Sequence, residues 1–154
     1  MNDVELPNPT AAVAEVLSRC TCFNVRRASR IVTKHYDEAL EPSGLRITQF
    51  GLLGALVGAG PTMLTDLAET LGMDRTTLTR NLKPLENQGL IEIDAGTDRR
   101  THLVRLTERG RQAFFAASPL WKQAQSELVH SFGQGRTTAL VTELRALVEQ
   151  IQPT

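Results

Sequence analysis

The chain is short of most residues that announce chemistry. Among 154 residues there are two cysteines, one tryptophan and one tyrosine. Cys20 and Cys22 stand two apart in a stretch that reads as helix, where such side chains point in different directions, so they form no disulfide with each other. The histidines, His35, His102 and His130, keep no zinc-like spacing with the cysteines, and neither a metal nor another cofactor is expected. No apolar run approaches the roughly 20 residues that span a bilayer. The opening MNDVELPNPT lacks a basic-then-apolar leader, so the expectation is a cytoplasmic protein without a membrane partner. There is no Ser/His/Asp ordering, carboxylate pair or phosphate loop. His35, the one base near Cys22 in sequence, lies about three and a half turns along the same helix. The chain does not read as an enzyme.

Net charge is also lacking: 17 lysines and arginines balance 17 acids. The zero conceals a bias. Residues 47–73 hold no lysine or arginine, whereas residues 96–111 hold five arginines against Asp98 and Glu108. A local basic edge of this kind suits phosphate binding, although a charge run is also what a solvated face looks like.

What is present is helical periodicity. Residues 10–40 read as one long helix, with Val13, Val16, Leu17, Cys20, Phe23, Ile31 and Val32 in a 3.6-residue rhythm, ended by Pro42 and Gly44. A second helix follows from Thr48 to about Val57, then a turn at GAGP. MLTDLAETLG (63–72) is a short helix closed by Gly72, and residues 74–89 form another, with Asp74 as N-cap and Gly89 past its end. LIEID and THLVRL read as two strands joined by AGTDRR. Thr107 caps a long helix in which Pro119 predicts a kink or break. SFGQGR interrupts, and 136–151 is a last helix.

Short helix, turn, second helix and two-stranded hairpin make a winged helix-turn-helix. At 100° per residue, Leu78, Leu82 and Leu85 face inward while Thr76, Thr79, Arg80, Lys83 and Asn87 face outward. Hydroxyls, guanidinium, ammonium and amide are the groups that read base edges and phosphates in the major groove. At the hairpin, Asp98 stands two residues before Arg100 and can hold its guanidinium oriented for the narrow, electronegative minor groove.

Asp98, Arg100, Leu103 or Val104, Leu106 and Thr107 together resemble the wing signature of MarR-type regulators, and LTDLAETLGMDRTTLTRNLKPLENQGLI resembles their helix-turn-helix. The resemblance implies a mainly α fold with a small β-wing. It treats 1–154 as a single MarR-type domain, with 45–111 as the winged part and 1–44 and 112–154 as flanking dimerisation helices. It further implies a homodimer on double-stranded, near-palindromic DNA, a repressor's role, and release by a small-molecule effector. The DNA-binding candidates are Arg75, Thr76, Thr77, Thr79, Arg80, Lys83, Asp98, Arg99 and Arg100. One departure from the pattern is Pro84, which removes a hydrogen bond to the Arg80 carbonyl and predicts a bend.

CFNVRRASRIVTKHYDEAL (22–40) resembles the first helix of the branch that senses organic hydroperoxides. That resemblance places Cys22 as a reactive thiol and Tyr36 as a partner, while Ile47 and Arg26 stand where the branch has tyrosines. Arg26 could lower the thiol pKa, but a cysteine on an apolar face is also ordinary packing. Cys22, Arg26, Tyr36 and Phe50 are the effector or redox candidates.

Overall fold

Three leucines on one helical face anchor the buried core. Leu78, Leu82 and Leu85 recur at i, i+4 and i+7 and are fully buried. Each such leucine contributes about 1.5–3 kcal/mol of burial. The computed structural model describes residues 9–95 and 102–151. Its elements in order are α1 (Pro9–Arg19), α2 (Thr21–Leu40), a 3-10 turn (Glu41–Ser43), α3 (Ile47–Ala59), β1 (Thr62–Met63), α4 (Leu64–Thr70), α5 (Arg75–Asn87), β2 (Ile91–Ala95), β3 (His102–Leu106), α6 (Glu108–Phe132) and α7 (Gln134–Ile151). The fold is mainly α with a small β-wing, as expected. Met1–His35 and Tyr36–Thr154 form two compact units.

In the first unit the expected single helix is two. The chain leaves helical geometry at Cys20, between α1 and α2. The cause is local competition for backbone groups. Asn24 Nδ2 donates to the carbonyls of Leu17 (3.2 Å) and Cys20 (3.0 Å), and Cys20 Sγ accepts the Phe23 amide at 3.5 Å. Side chains that can bond nearby backbone offer the chain an alternative to the helical ladder. Cys20 is therefore a capping residue at a joint, not a mid-helix position. Exposed Val13, Val16, Leu17, Val25, Ile31 and Val32 carry the apolar rhythm that the sequence showed.

In the second unit, the carboxylate of Asp37 near the end of α2 accepts the Ile47 amide (2.7 Å) and pairs with Arg46 (3.2 Å), so it caps α3 from outside. The sheet has three strands in the order β1-β3-β2, all antiparallel, with Thr62 opposite Val104 and Ile93 opposite Val104 on the other side. β1 lies where the sequence suggested turn and helix start. Two residues are too few for an alternating pattern, and only the long-range partner β3 makes them a strand.

Two expected interruptions shrink. α6 runs unbroken through Pro119. Proline withholds its amide from the Phe115 carbonyl, but both residues are exposed, so water can replace the lost donor. SFGQGR reduces to Gly133 alone, at φ 96°, and α7 starts at Gln134 rather than at 136. Thr137 closes this junction by donating its hydroxyl and amide to the Gly133 carbonyl, both at 2.9 Å.

The buried core gathers Leu40, Leu52, Leu53 and Leu56 with Leu67, the three α5 leucines, Ile91, Val104 and Ala117. α7 stays outside it: Leu140, Val141, Leu144, Leu147, Val148 and Ile151 form one exposed stripe.

Candidate nucleic-acid interface

The start of α5 is built by Asp74, whose carboxylate accepts the Thr77 amide at 2.8 Å and the Thr77 hydroxyl at 2.6 Å. Those bonds stabilise the charged form and hold the Asp74 carboxyl below its ordinary pKa. The end is a glycine cap. Gly89, at φ 68°, donates to Glu86, and Leu90 donates to Leu85, both at 2.9 Å. α4 ends the same way through Gly72, at φ 61°, so the turn between α4 and α5 is set by sequence-local chemistry. The helix continues through Pro84 to Asn87.

With Leu78, Leu82 and Leu85 locked inward, the outward face is determined. Arg75, Thr76, Thr79, Arg80, Lys83, Pro84 and Asn87 line an open groove of about 1000 Å³. Three of those side chains are cationic. The candidates on this face nonetheless differ in what they have to offer. Thr77 spends its hydroxyl on Asp74, and Thr79 donates to the Arg75 carbonyl at 2.7 Å. Lys83 is paired with Glu86 at 2.8 Å. Arg75, Thr76, Arg80 and Asn87 stand exposed along the groove.

Asp98, Arg99 and Arg100 lie outside the described residues. Between β2 and β3, Arg105 Nε is held by Asp94 Oδ2 across the ladder at 2.9 Å, and on α6 Arg111 meets Glu108 at 3.7 Å. Part of the basic edge seen in the sequence is thus locally neutralised.

Thr107 does more than cap α6. Its hydroxyl accepts the Gly110 amide at 3.0 Å and donates to the Gly89 carbonyl at 2.8 Å, and its amide donates to Leu90 at 3.1 Å. The end of α5 is thereby fastened to the start of α6. Gly110 makes this closeness possible, since a Cβ there would stand 1.9 Å from the Leu90 carbonyl oxygen. The sequence marked Thr107 as a cap but carried no signal for its bond to Gly89, 18 residues away.

The effector candidates are not alike. Cys22 and Arg26 are exposed on α2. Tyr36 is buried; its hydroxyl donates to Gln125 Oε1, and burial raises its pKa. Phe50 is buried in an aromatic stack, with ring centres 4.7 Å from Phe114 and 6.0 Å from Trp121. Gly54 admits this stack, because a Cβ there would come within 3.0 Å of the Phe114 ring.

Comparison with known proteins agrees with this geometry. A MarR family profile matches residues 43–101, which hold α3, β1, the helix-turn-helix of α4 and α5, and β2. The transcriptional regulator MosR of M. tuberculosis, crystallised with DNA, is 38% identical, with a TM-score of 0.76 over 88% of this chain and 100% of that one. The chain belongs to the MarR family. The repressor CouR bound to a 23-mer DNA duplex is 27% identical, with a TM-score of 0.75 over 86% of this chain and 95% of that one. The same repressor with p-coumaroyl-CoA is 25% identical, with a TM-score of 0.76 over 86% and 94%. The HTH-type transcriptional regulator YwoH of Bacillus subtilis (strain 168) is 26% identical, across 87% of this chain and 98% of that protein. This MarR-family chain is accordingly a transcriptional regulator with a winged helix-turn-helix.

Proposed function

We propose that the chain is a sequence-specific DNA-binding repressor that acts as a homodimer on a near-palindromic operator and releases it when a small ligand binds. The observation that carries the DNA reading is the outward face of α5: Arg75, Thr76, Arg80 and Asn87 along an open groove, backed by three fully buried leucines. A rigid helix that presents such donors is what major-groove readout requires. Arg100 enters the neighbouring minor groove in this reading, oriented by Asp98, with Arg99 on phosphate. The likeness to MosR and CouR, both solved with DNA, supports it.

Dimer formation is supported by apolar surface that stands exposed among the described residues. Residues 140–151 on α7 and 13–32 on α1 and α2 expose large aliphatic side chains that solvent penalises. Residues 1–44 and 112–154 supply the dimer base in this proposal, and 45–111 the DNA-reading part. The ligand is a small organic acid or its acyl-CoA thioester, a class supported by CouR's p-coumaroyl-CoA.

Gel shifts on the DNA upstream of the chain's own gene, with a scrambled duplex as control, test the reading. Specific binding that is lost on addition of an aryl acid or aryl-CoA thioester is expected. Equal affinity for both duplexes would overturn the sequence-specific role.

A second reading rests on the exposure of the Cys22 thiol. Attack of its thiolate on a hydroperoxide breaks the O–O bond, leaving a sulfenic acid and an alcohol. Loss of DNA binding after one equivalent of organic hydroperoxide, in the wild type and not in Cys22→Ser, is the result this reading requires. Unchanged binding in both removes it.

A further inference from the structure

The lysine at the middle of the outward α5 face is held by a carboxylate. Lys83 Nζ stands 2.8 Å from Glu86 Oε2, and the two side chains are 64% and 32% exposed. At 100° per residue, Lys83 projects within about 20° of Thr76, near the centre of the face, whereas Glu86 projects from its edge, next to Leu82. The carboxylate thus reaches outward from the margin to hold the central cation.

A free lysine is a flexible point charge that binds any phosphate, and each neutralised phosphate adds about 0.9 to the salt slope of binding. Paired with Glu86, Lys83 brings no net charge to the backbone, and its ammonium is held in one place. One of its three N–H donors is used and two are open. We infer that Glu86 is a specificity-determining positioning residue, which withholds Lys83 from phosphates and presents it to a guanine edge. Guanine offers O6 and N7 as adjacent acceptors in the major groove, a match for the two open donors. The carboxylate also repels phosphates when the helix lies out of register, a penalty on wrong DNA. This inference rests on the DNA-binding reading above.

The test compares wild type, Glu86→Gln and Lys83→Gln on two duplexes, one recovered by in vitro selection with the wild-type protein and one scrambled, across a salt series. Both side chains reach solvent, and unchanged thermal midpoints confirm folding. Glu86→Gln should bind the scrambled duplex more tightly, with a slope steeper by about 0.9, and should discriminate less between the two. Lys83→Gln leaves the Glu86 carboxylate unpaired and should weaken the selected duplex several-fold more than the scrambled one. If Glu86→Gln changes neither scrambled affinity nor slope, or Lys83→Gln weakens both duplexes alike, Lys83 is a plain phosphate contact and the inference fails. A wild type that binds neither duplex overturns the DNA reading itself, and the inference with it.

Discussion

The hydroxyl of Thr107 donates to the carbonyl of Gly89 at 2.8 Å, so the residue that begins α6 also ends α5. The same oxygen accepts the Gly110 amide at 3.0 Å. One side chain therefore links the end of the groove-lining helix to the first turn of α6.

Replacing Thr107 should cost both bonds. Thr107→Ala is expected to lose about 1–2 kcal/mol, the range for a lost N-cap with its added hydrogen bond. Thr107→Ser keeps the oxygen and should lose little. Urea denaturation of the two variants decides this; equal stabilities would show that the hydroxyl is idle.

Gly110→Ala should be among the most damaging single-methyl additions, because the new Cβ would stand 1.9 Å from backbone rather than from a flexible side chain. A loss of about 3 kcal/mol or more is expected, at the top of the overpacking range. Gly51→Ala, in the interior of α3 with nothing within 4 Å of its Cβ, should instead gain about 0.5–1 kcal/mol. Thermal melts of both variants, read side by side, check the contrast. Similar behaviour would mean that the approach of α6 to Leu90 is looser than described.

Asp74 predicts acid sensitivity at the start of α5. Its folded pKa is lowered by the Thr77 bonds, so the cap's contribution is present above the unfolded value of about 3.9 and is lost as pH falls through the folded one. Asp74→Asn removes this titration and should flatten the stability profile below about pH 4. A profile as steep as that of the wild type would assign the acid sensitivity to other groups.

Arg80→Ala, at an exposed position on the groove, should weaken the operator by about 1–3 kcal/mol while leaving scrambled DNA less affected. A uniform loss on both duplexes, with a reduced salt slope, would make Arg80 a phosphate contact instead.

Assembly is read from α7. The wild type should be a dimer by light scattering at micromolar concentration, and Leu144→Asp, in the middle of the exposed stripe, should shift it toward monomer. A wild type that stays monomeric would remove the dimer base and the paired operator together.

The sequence by itself determined the helices that close through neighbours in the chain. Asp74 with Thr77, and the glycines at 72 and 89, act over a few residues, so the bounds of α4 and α5 and the inward face of Leu78, Leu82 and Leu85 were legible in spacing and composition. The outward candidates followed by elimination. Tertiary structure decided whatever depends on distant partners or on competition between nearby ones. β1 is a strand only because β3 lies beside it, and Thr107 meets Gly89 only because α5 and the strands fold back. The break at Cys20 was hidden for another reason: Asn24 had a free choice between solvent and the carbonyls of Leu17 and Cys20, and apolar periodicity does not register that choice. Charge was legible as a sum but not as a distribution: Arg105 reads as a free cation until β2 and β3 pair and set Asp94 beside it, whereas Lys83 meets Glu86 three residues along its own helix.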